Sequence, residues 1–570
     1  MPRPADLVLR NGTVLTVDAA FSTTEALAVR DGLVAATGTD EEISALVGPG
    51  TRVLDLGGRT ALPGINDSHL HACAFGATRP PLALDVTPEG AASIAEIRTA
   101  VRERAAQVPR GSWIIGNGWD TGYLKECRDD PERSVTRHDL DAVAPEHPVL
   151  LYEFSGHTAW VNSRALELAG ISAGTEVPPG GVIELGPDGE PSGVLREGAQ
   201  ELINAAVPDM DAGARAEAIR AAVRVCHAEG ITSFTEPGLG PGGGSLFLGA
   251  AHTDTLREYA RMAAAGELRA RVSVLLLPLE MGGASSELPA RMEGLGDLCA
   301  DADPRLLRVL GVKLFADGIP PSRTAWMHEP YEEGGGLGQL CVHGHSDAQR
   351  VGELGGIVAY AHAAGHQLGV HITGDHGIDA VVDAFRSAQA DSPRPDARHY
   401  VIHGDFASPT ALRTLARHGW GVNMNPGVKD AIADRMDAVV GPERSAWQWP
   451  VRSAVEAGIP VTASSDAPIT YPDWRRGVAS MMLRESKATG RVSGPDQCVG
   501  FETAVRAYTS HAAWQDFAEG WKGTLEPGKV ADVCVVDGAL GPRTDPREIA
   551  SMGVALTVFG GEVVYEGVAL

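Results

Sequence analysis

Lysine is scarce in this chain. Only Lys125, Lys313, Lys429, Lys487, Lys522 and Lys529 occur in 570 residues. Cysteine is sparse too: the seven, at 73, 127, 226, 299, 341, 498 and 534, are odd in number and include no Cys-x-x-Cys pair. That speaks against a disulfide framework and for reduced thiols in a reducing compartment. No apolar run reaches the length of a membrane span, and Met1-Pro2-Arg3-Pro4-Ala5-Asp6 lacks the apolar core of a signal peptide, so the cytoplasm is the expected location. Positive charge is outnumbered. Against 74 Asp and Glu stand 48 Lys and Arg, a formal net charge of −26. That balance argues against nucleic acid or an anionic membrane as partner and leaves a small-molecule substrate open.

What is present describes a globular protein, with 44% hydrophobic and 21% charged residues. The length exceeds one ordinary core, so two or three domains are expected unless one is a large barrel. Residues 6–59 alternate short β-like runs with turns such as Asn11-Gly12 and Asp31-Gly32. The C-terminus looks alike around Val533–Val536 and Val554–Phe559. Neither end has enough strands to bury two faces, so the two are expected to pair into one β-sandwich, 1–59 with 524–570. Its sheet edges leave a homodimer possible.

Between the ends lie eight apolar strand candidates: 60–66, 231–236, 271–278, 308–315, 367–372, 399–403, 420–424 and 460–466. Helical segments separate most of them. Ala214–Glu229 has apolar positions at helical spacing, and Ser408-Pro409 reads as an N-cap with Pro at the first helical position. The fold class expected is α/β, a (β/α)8 TIM-type barrel over 60–75 with 213–523. The first gap is too long for one helix. Residues 76–212 are expected to form a small inserted α/β subdomain over the barrel mouth.

Chemistry gathers at the strand ends. Gly64-Ile65-Asn66-Asp67-Ser68-His69-Leu70-His71 places two imidazoles two residues apart. In extended backbone they share one side and can reach one metal ion. Later strands carry Lys313, His371, His403 and Asp466 where apolar strand gives way to loop. Four imidazoles and a carboxylate suit zinc or another borderline divalent ion, although any single buried histidine is more often a core residue. Lys313 is the odd member, because an ammonium is repelled by a cation. It is either deprotonated, carboxylated to a bridging carbamate, or snorkelling to solvent.

The ordered set Gly-x-x-Asp-x-His-x-His, Val312-Lys313-Leu314-Phe315-Ala316-Asp317-Gly318, Val370-His371-Ile372-Thr373-Gly374-Asp375, Ile402-His403-Gly404-Asp405 and Ser464-Ser465-Asp466-Ala467-Pro468 resembles the metal-dependent amidohydrolase superfamily. The match is nearest amidohydrolase family 3, the YtcJ-like branch that includes N-substituted formamide deformylases. Gly156–Ser163, Asp317–Ala325 and Gly523–Asp532 resemble further signatures of that group. The resemblance covers nearly the whole chain. It implies a hydrolase of carbon–nitrogen bonds other than peptide bonds. His69, His71 and Asp466 would hold one ion, His371 and His403 a second, with carboxylated Lys313 between them.

Under that resemblance the metal supplies hydroxide from water, and Asp466 takes the proton and passes it to the leaving amine. His157 is a candidate second donor to the carbonyl. Asp317 and Arg323 are candidates to bind substrate or order their loop. Trp119, with Trp113, Trp160, Trp326, Trp447 and Trp449, is a candidate apolar wall suited to N-aryl or N-alkyl amides. Two stretches depart from the relatives, Ile372-Thr373-Gly374-Asp375-His376 and Thr235-Glu236-Pro237-Gly238. A deaminase is disfavoured because Gly374, not Glu, follows His371 at the third position. Cyclic-amide or ester hydrolysis stays open, and a non-catalytic scaffold is hard to reconcile with a full ligand set.

Overall fold

Gly64 divides the first predicted strand in two. Thr60–Pro63 pairs antiparallel with Val533–Val536, Cys534 opposite Leu62. Ile65–Asp67 turns away and joins the barrel. A Cβ at Gly64 would stand 2.2 Å from Thr232 Oγ1, so only glycine lets the chain cross between the two sheets here. The expected strand over 60–66 is thus corrected to two strands in different sheets. This computed structural model describes residues 3–130, 132–154, 156–178, 180–244 and 246–567, with nothing said of the Glu333 side chain.

Eight parallel strands form the barrel: β1 Ile65–Asp67, β2 Ile231–Leu239, β3 Arg271–Leu276, β4 Leu307–Phe315, β5 Gln367–Ile372, β6 Tyr400–His403, β7 Gly421–Met424 and β8 Thr462–Ala463. Each pairs with the next in chain order. Closure from β8 back to β1 is made just past the strands, where Asp466 N–H donates to the His69 carbonyl at 2.9 Å and His71 N–H to that of Ala467 at 2.9 Å. The Ser68 hydroxyl adds a bond to the Ala463 carbonyl at 2.8 Å. Helices start where the sequence signals them. The Ser408 side chain accepts from Ala411 N–H, Pro409 opens the helix Pro409–Arg417, and Gly419 follows it with φ +67°.

The chain ends build two further sheets. One has four strands from residues 7–55. The other has six and interleaves 13–15, 23–24 and 60–63 with 533–536, 554–559 and 562–566. Leu9, Leu27 and Leu54 from the first share one apolar core with Val14, Val533, Val535 and Val558 from the second. Burying such side chains is worth roughly 2 kcal/mol each, which neither end could gather alone.

The barrel and terminal sheets make one compact unit, residues 1–71, 223–244 and 251–570; residues 72–222 with 245–250 make a second. The second unit holds a six-stranded sheet around a core of Ile97, Ile114, Leu151 and Trp160. Among the described residues no helix is long and apolar enough to cross a membrane, and all seven cysteines are free thiols.

Candidate metal centre

Every barrel strand delivers its C-terminal residues to one end of the sheet, so side chains distant in sequence converge there. His69 Nε2 lies 3.3 Å from Asp466 Oδ1, and His71 Nε2 lies 3.6 Å from the same oxygen. One donor atom from each of the three falls within 4.8 Å of the others. The ring of His403 lies 5.4 Å from that of His69 and 4.5 Å from that of His371, centre to centre. Lys313 on β4 is 1% exposed, and its ammonium influences His69, His71, His371 and His403 alike.

Burial holds all four imidazoles below the ordinary histidine pKa, with His69, His71 and His371 well below it. They are neutral at pH 7, the form that offers a lone pair. Hydrogen bonds choose which nitrogen offers it. His371 Nε2 stands 3.1 Å from the Gly318 carbonyl, an acceptor, so Nε2 carries the proton and Nδ1 the lone pair. His403 Nδ1 stands 2.6 Å from Asn425 Oδ1, which leaves the lone pair on Nε2. Two of these residues lie in left-handed backbone, His403 at φ +71° and Asp466 at φ +58°. Non-glycine residues there cost on the order of 1–3 kcal/mol.

The donor set fits a divalent cation. His69 Nδ1 and Lys313 Nζ are buried without a hydrogen-bond partner, and such groups are expensive to leave unmade. Burial pulls Lys313 down to about 7, so a neutral amine is accessible near physiological pH. Asp67 ties the end of β1 to the loop after β8, accepting from Ser465 N–H at 3.1 Å and His69 N–H at 3.3 Å.

The other expected site residues have structural partners of their own. Asp317 is a clamp rather than a substrate ligand. Its carboxylate accepts backbone N–H from Trp326 at 2.9 Å and from Thr373 and Gly374 at 3.0 Å, joining the loops after β4 and β5. Those loops also carry the Gly318 carbonyl that orients His371. Arg323 is half-buried at φ +57° and ends the short turn Pro320–Ser322. His157 belongs to the second unit, with Nδ1 2.9 Å from Glu197.

Of the expected tryptophan wall, four members have structural partners of their own within their units. Trp119 is a core residue of the second unit, packed edge-on against Trp160 and donating to the Leu151 carbonyl at 2.8 Å. Trp326 stacks on His376, and Trp447 donates to the Ala407 carbonyl. Composition alone does not separate a core indole from a pocket indole. Asn425 escaped the sequence reading. Its signal is Gly421-Val422-Asn423-Met424-Asn425, two amides at alternate positions in an apolar strand, the same spacing that exposed His69 and His71.

A family model described as "Amidohydrolase family" matches residues 52–565. The YtcJ protein of Bacillus subtilis is 30% identical over 568 residues, 98% of this chain and 99% of that one. The N-substituted formamide deformylase of Arthrobacter pascens is 28% identical, covering 99% of each. Among solved structures, an uncharacterized metal-dependent hydrolase from Pyrococcus furiosus has a TM-score of 0.69 at 24% identity, over 94% of this chain and 100% of that one.

Proposed function

This chain belongs to the amidohydrolase family, and from that premise we propose that it hydrolyses the C–N bond of a small N-substituted amide, formamides foremost. The observation that carries the proposal is the cluster of four buried neutral imidazoles with Asp466 and the buried amine of Lys313, which makes no hydrogen bond. His69, His71 and Asp466 would hold one zinc ion. His371 and His403 would hold a second, and Lys313, carboxylated, would lie between the two. Zinc is favoured because imidazole and carboxylate suit a borderline cation.

When bound, the cation supplies Lewis acidity, polarising a carbonyl and lowering the pKa of water. The protein supplies the proton path. Asp466, with its side chain 13% exposed at the strand end, accepts the proton of the attacking water and returns it to the leaving nitrogen. The buried neutral histidines would offer their lone pairs to the ions, and the Asp317 clamp holds the loop whose Gly318 carbonyl bonds His371.

Two supports bear on the substrate. The Arthrobacter relative is named for N-substituted formamides. On the loops after β4 and β8, Ile319 is 41% exposed and Ile469 60% exposed, and Ile469 N–H bonds the Asp466 carbonyl at 2.8 Å. Exposed apolar side chains on the loops that follow two of the site's strands favour an alkyl or aryl substituent on nitrogen.

The test is metal analysis followed by a substrate panel. Protein purified without chelator should hold about two divalent ions per chain. It should release formate from N-benzyl- or N-alkylformamides faster than ammonia from adenine or adenosine. Ammonia release alone would replace this reading with a deaminase.

A further inference from the structure

A chain of buried hydrogen bonds runs from the Ala463 carbonyl to the imidazole of His403. The Ser68 hydroxyl donates to that carbonyl at 2.8 Å. Its proton is thereby committed, so it accepts from Asn423 Nδ2 at 2.7 Å. Asn423 Nδ2 also donates to Thr462 Oγ1 at 3.0 Å, whose own proton goes to Gln515 Oε1 at 2.7 Å. Asn423 must therefore turn its carbonyl oxygen the other way, where it accepts from Ser464 Oγ at 2.9 Å. With its proton spent, Ser464 accepts from Asn425 Nδ2 at 3.0 Å. That leaves Asn425 Oδ1 facing His403 Nδ1 at 2.6 Å.

The Ser464 and Thr462 protons have the Met424 and Val422 carbonyls at 3.5 Å as second acceptors, and either choice leaves the direction of the chain unchanged. A backbone carbonyl has no proton, so the direction cannot reverse as a whole. Ser68, Asn423, Asn425 and Ser464 are all fully buried, so water does not offer substitute partners. The chain joins the ends of β1, β6, β7 and β8, and Ser68 directly precedes His69.

We propose that Asn425 is a positioning residue: through Ser464, Asn423 and Ser68 it locks His403 in the Nδ1-protonated tautomer and aims Nε2 at the ion. The proposal rests on the assignment of His403 as a metal ligand. Asn425 acts through His403. Its role is to make His403 a ligand of one fixed orientation, a function that partners of this kind serve with about 10–100-fold effects on metal affinity.

The experiment titrates chelator-stripped protein with Co²⁺, following its visible absorption, in wild type, Asn425→Leu, Asn425→Asp, Ser464→Ala and His403→Ala. Near-UV circular dichroism of the stripped proteins screens for misfolding. Asn425→Leu should weaken the later-filling ion by about 10–100-fold while the first ion binds as in wild type. Asn425→Asp retains an acceptor for Nδ1–H and should bind close to wild type. Ser464→Ala frees the amide to flip and should fall between. Folded Asn425→Leu binding both ions like wild type, while His403→Ala loses one, overturns the role of Asn425 alone. Equal loss in the Leu and Asp variants reduces Asn425 to packing and also overturns it. Full binding by His403→Ala overturns both the ligand assignment and the proposal built on it.

Discussion

Lys313 Nζ stands 4.6 Å from the centre of the Phe315 ring, buried and without a hydrogen-bond partner. The ring face compensates a cation only partly, and burial drives the ammonium toward its neutral form, at about 7. Carbamate formation consumes the free amine. In metal-free protein supplied with ¹³C-bicarbonate, a carbamate carbon resonance should therefore grow as pH rises through about 7 and level off above it. Lys313→Ala should lack the signal at every pH. A resonance that ignores pH between 6 and 8 would count against carboxylation at this lysine.

Asp466 is asked to hold an ion and to carry a proton. Asp466→Asn keeps the shape and loses the base. Its turnover should drop by about 10²–10⁴-fold, the usual worth of a positioned general base. The fall should sit in kcat more than in KM. Loss confined to KM would show that Asp466 only binds.

Arg271 on β3 reaches out of the barrel to the terminal sheets. Its Nε and Nη2 meet Asp532 at 2.6 and 2.9 Å, and Asp532 also accepts Gly560 N–H at 2.8 Å. Asp532→Ala leaves a buried guanidinium without its carboxylate. It should cost about 3–5 kcal/mol, visible as an earlier urea midpoint. Replacing both residues with apolar ones should cost less than the single change.

His399 is a titration point far from the catalytic chemistry. Leu368 N–H donates to its Nδ1 at 3.0 Å, so its Nε2 carries the proton toward His362 Nδ1 at 2.7 Å. Burial first, then His362 and Arg394, hold its pKa well below 6.5. The unfolded imidazole protonates near 6.5, so below that pH the unfolded chain binds more protons. The stability this residue contributes is whole above pH 6.5 and declines as pH falls. His399→Asn keeps the acceptor for Leu368 and removes the titration. Thermal midpoints between pH 6.5 and 5 should then fall less steeply than in wild type, by at most about 1.4 kcal/mol per pH unit.

Much of the candidate site was legible in the sequence. His69 and His71 were recognisable from their two-residue spacing, although both lie just past β1 rather than in it. Lys313, His371, His403 and Asp466 were recognisable because each interrupts an apolar run where it meets a loop. The tryptophans misled for the opposite reason. Trp119 is apolar and bulky whether it lines a pocket or fills a core, and nothing local distinguishes the two.

Strand periodicity and apolar runs are local properties, and the sequence by itself determined them: eight barrel strands, polar groups at their ends, and β-rich termini. Only the tertiary structure decided what long-range register controls. It set Cys534 opposite Leu62, sent the chain from one sheet to another at Gly64, and brought the Asp67 carboxylate to Ser465 across 398 residues. It also aligned Asn425 with His403. The physical reason is that a hydrogen bond's direction depends on both partners and on their neighbours in turn. Such a chain of dependence exists only once barrel closure has put β1, β6, β7 and β8 side by side.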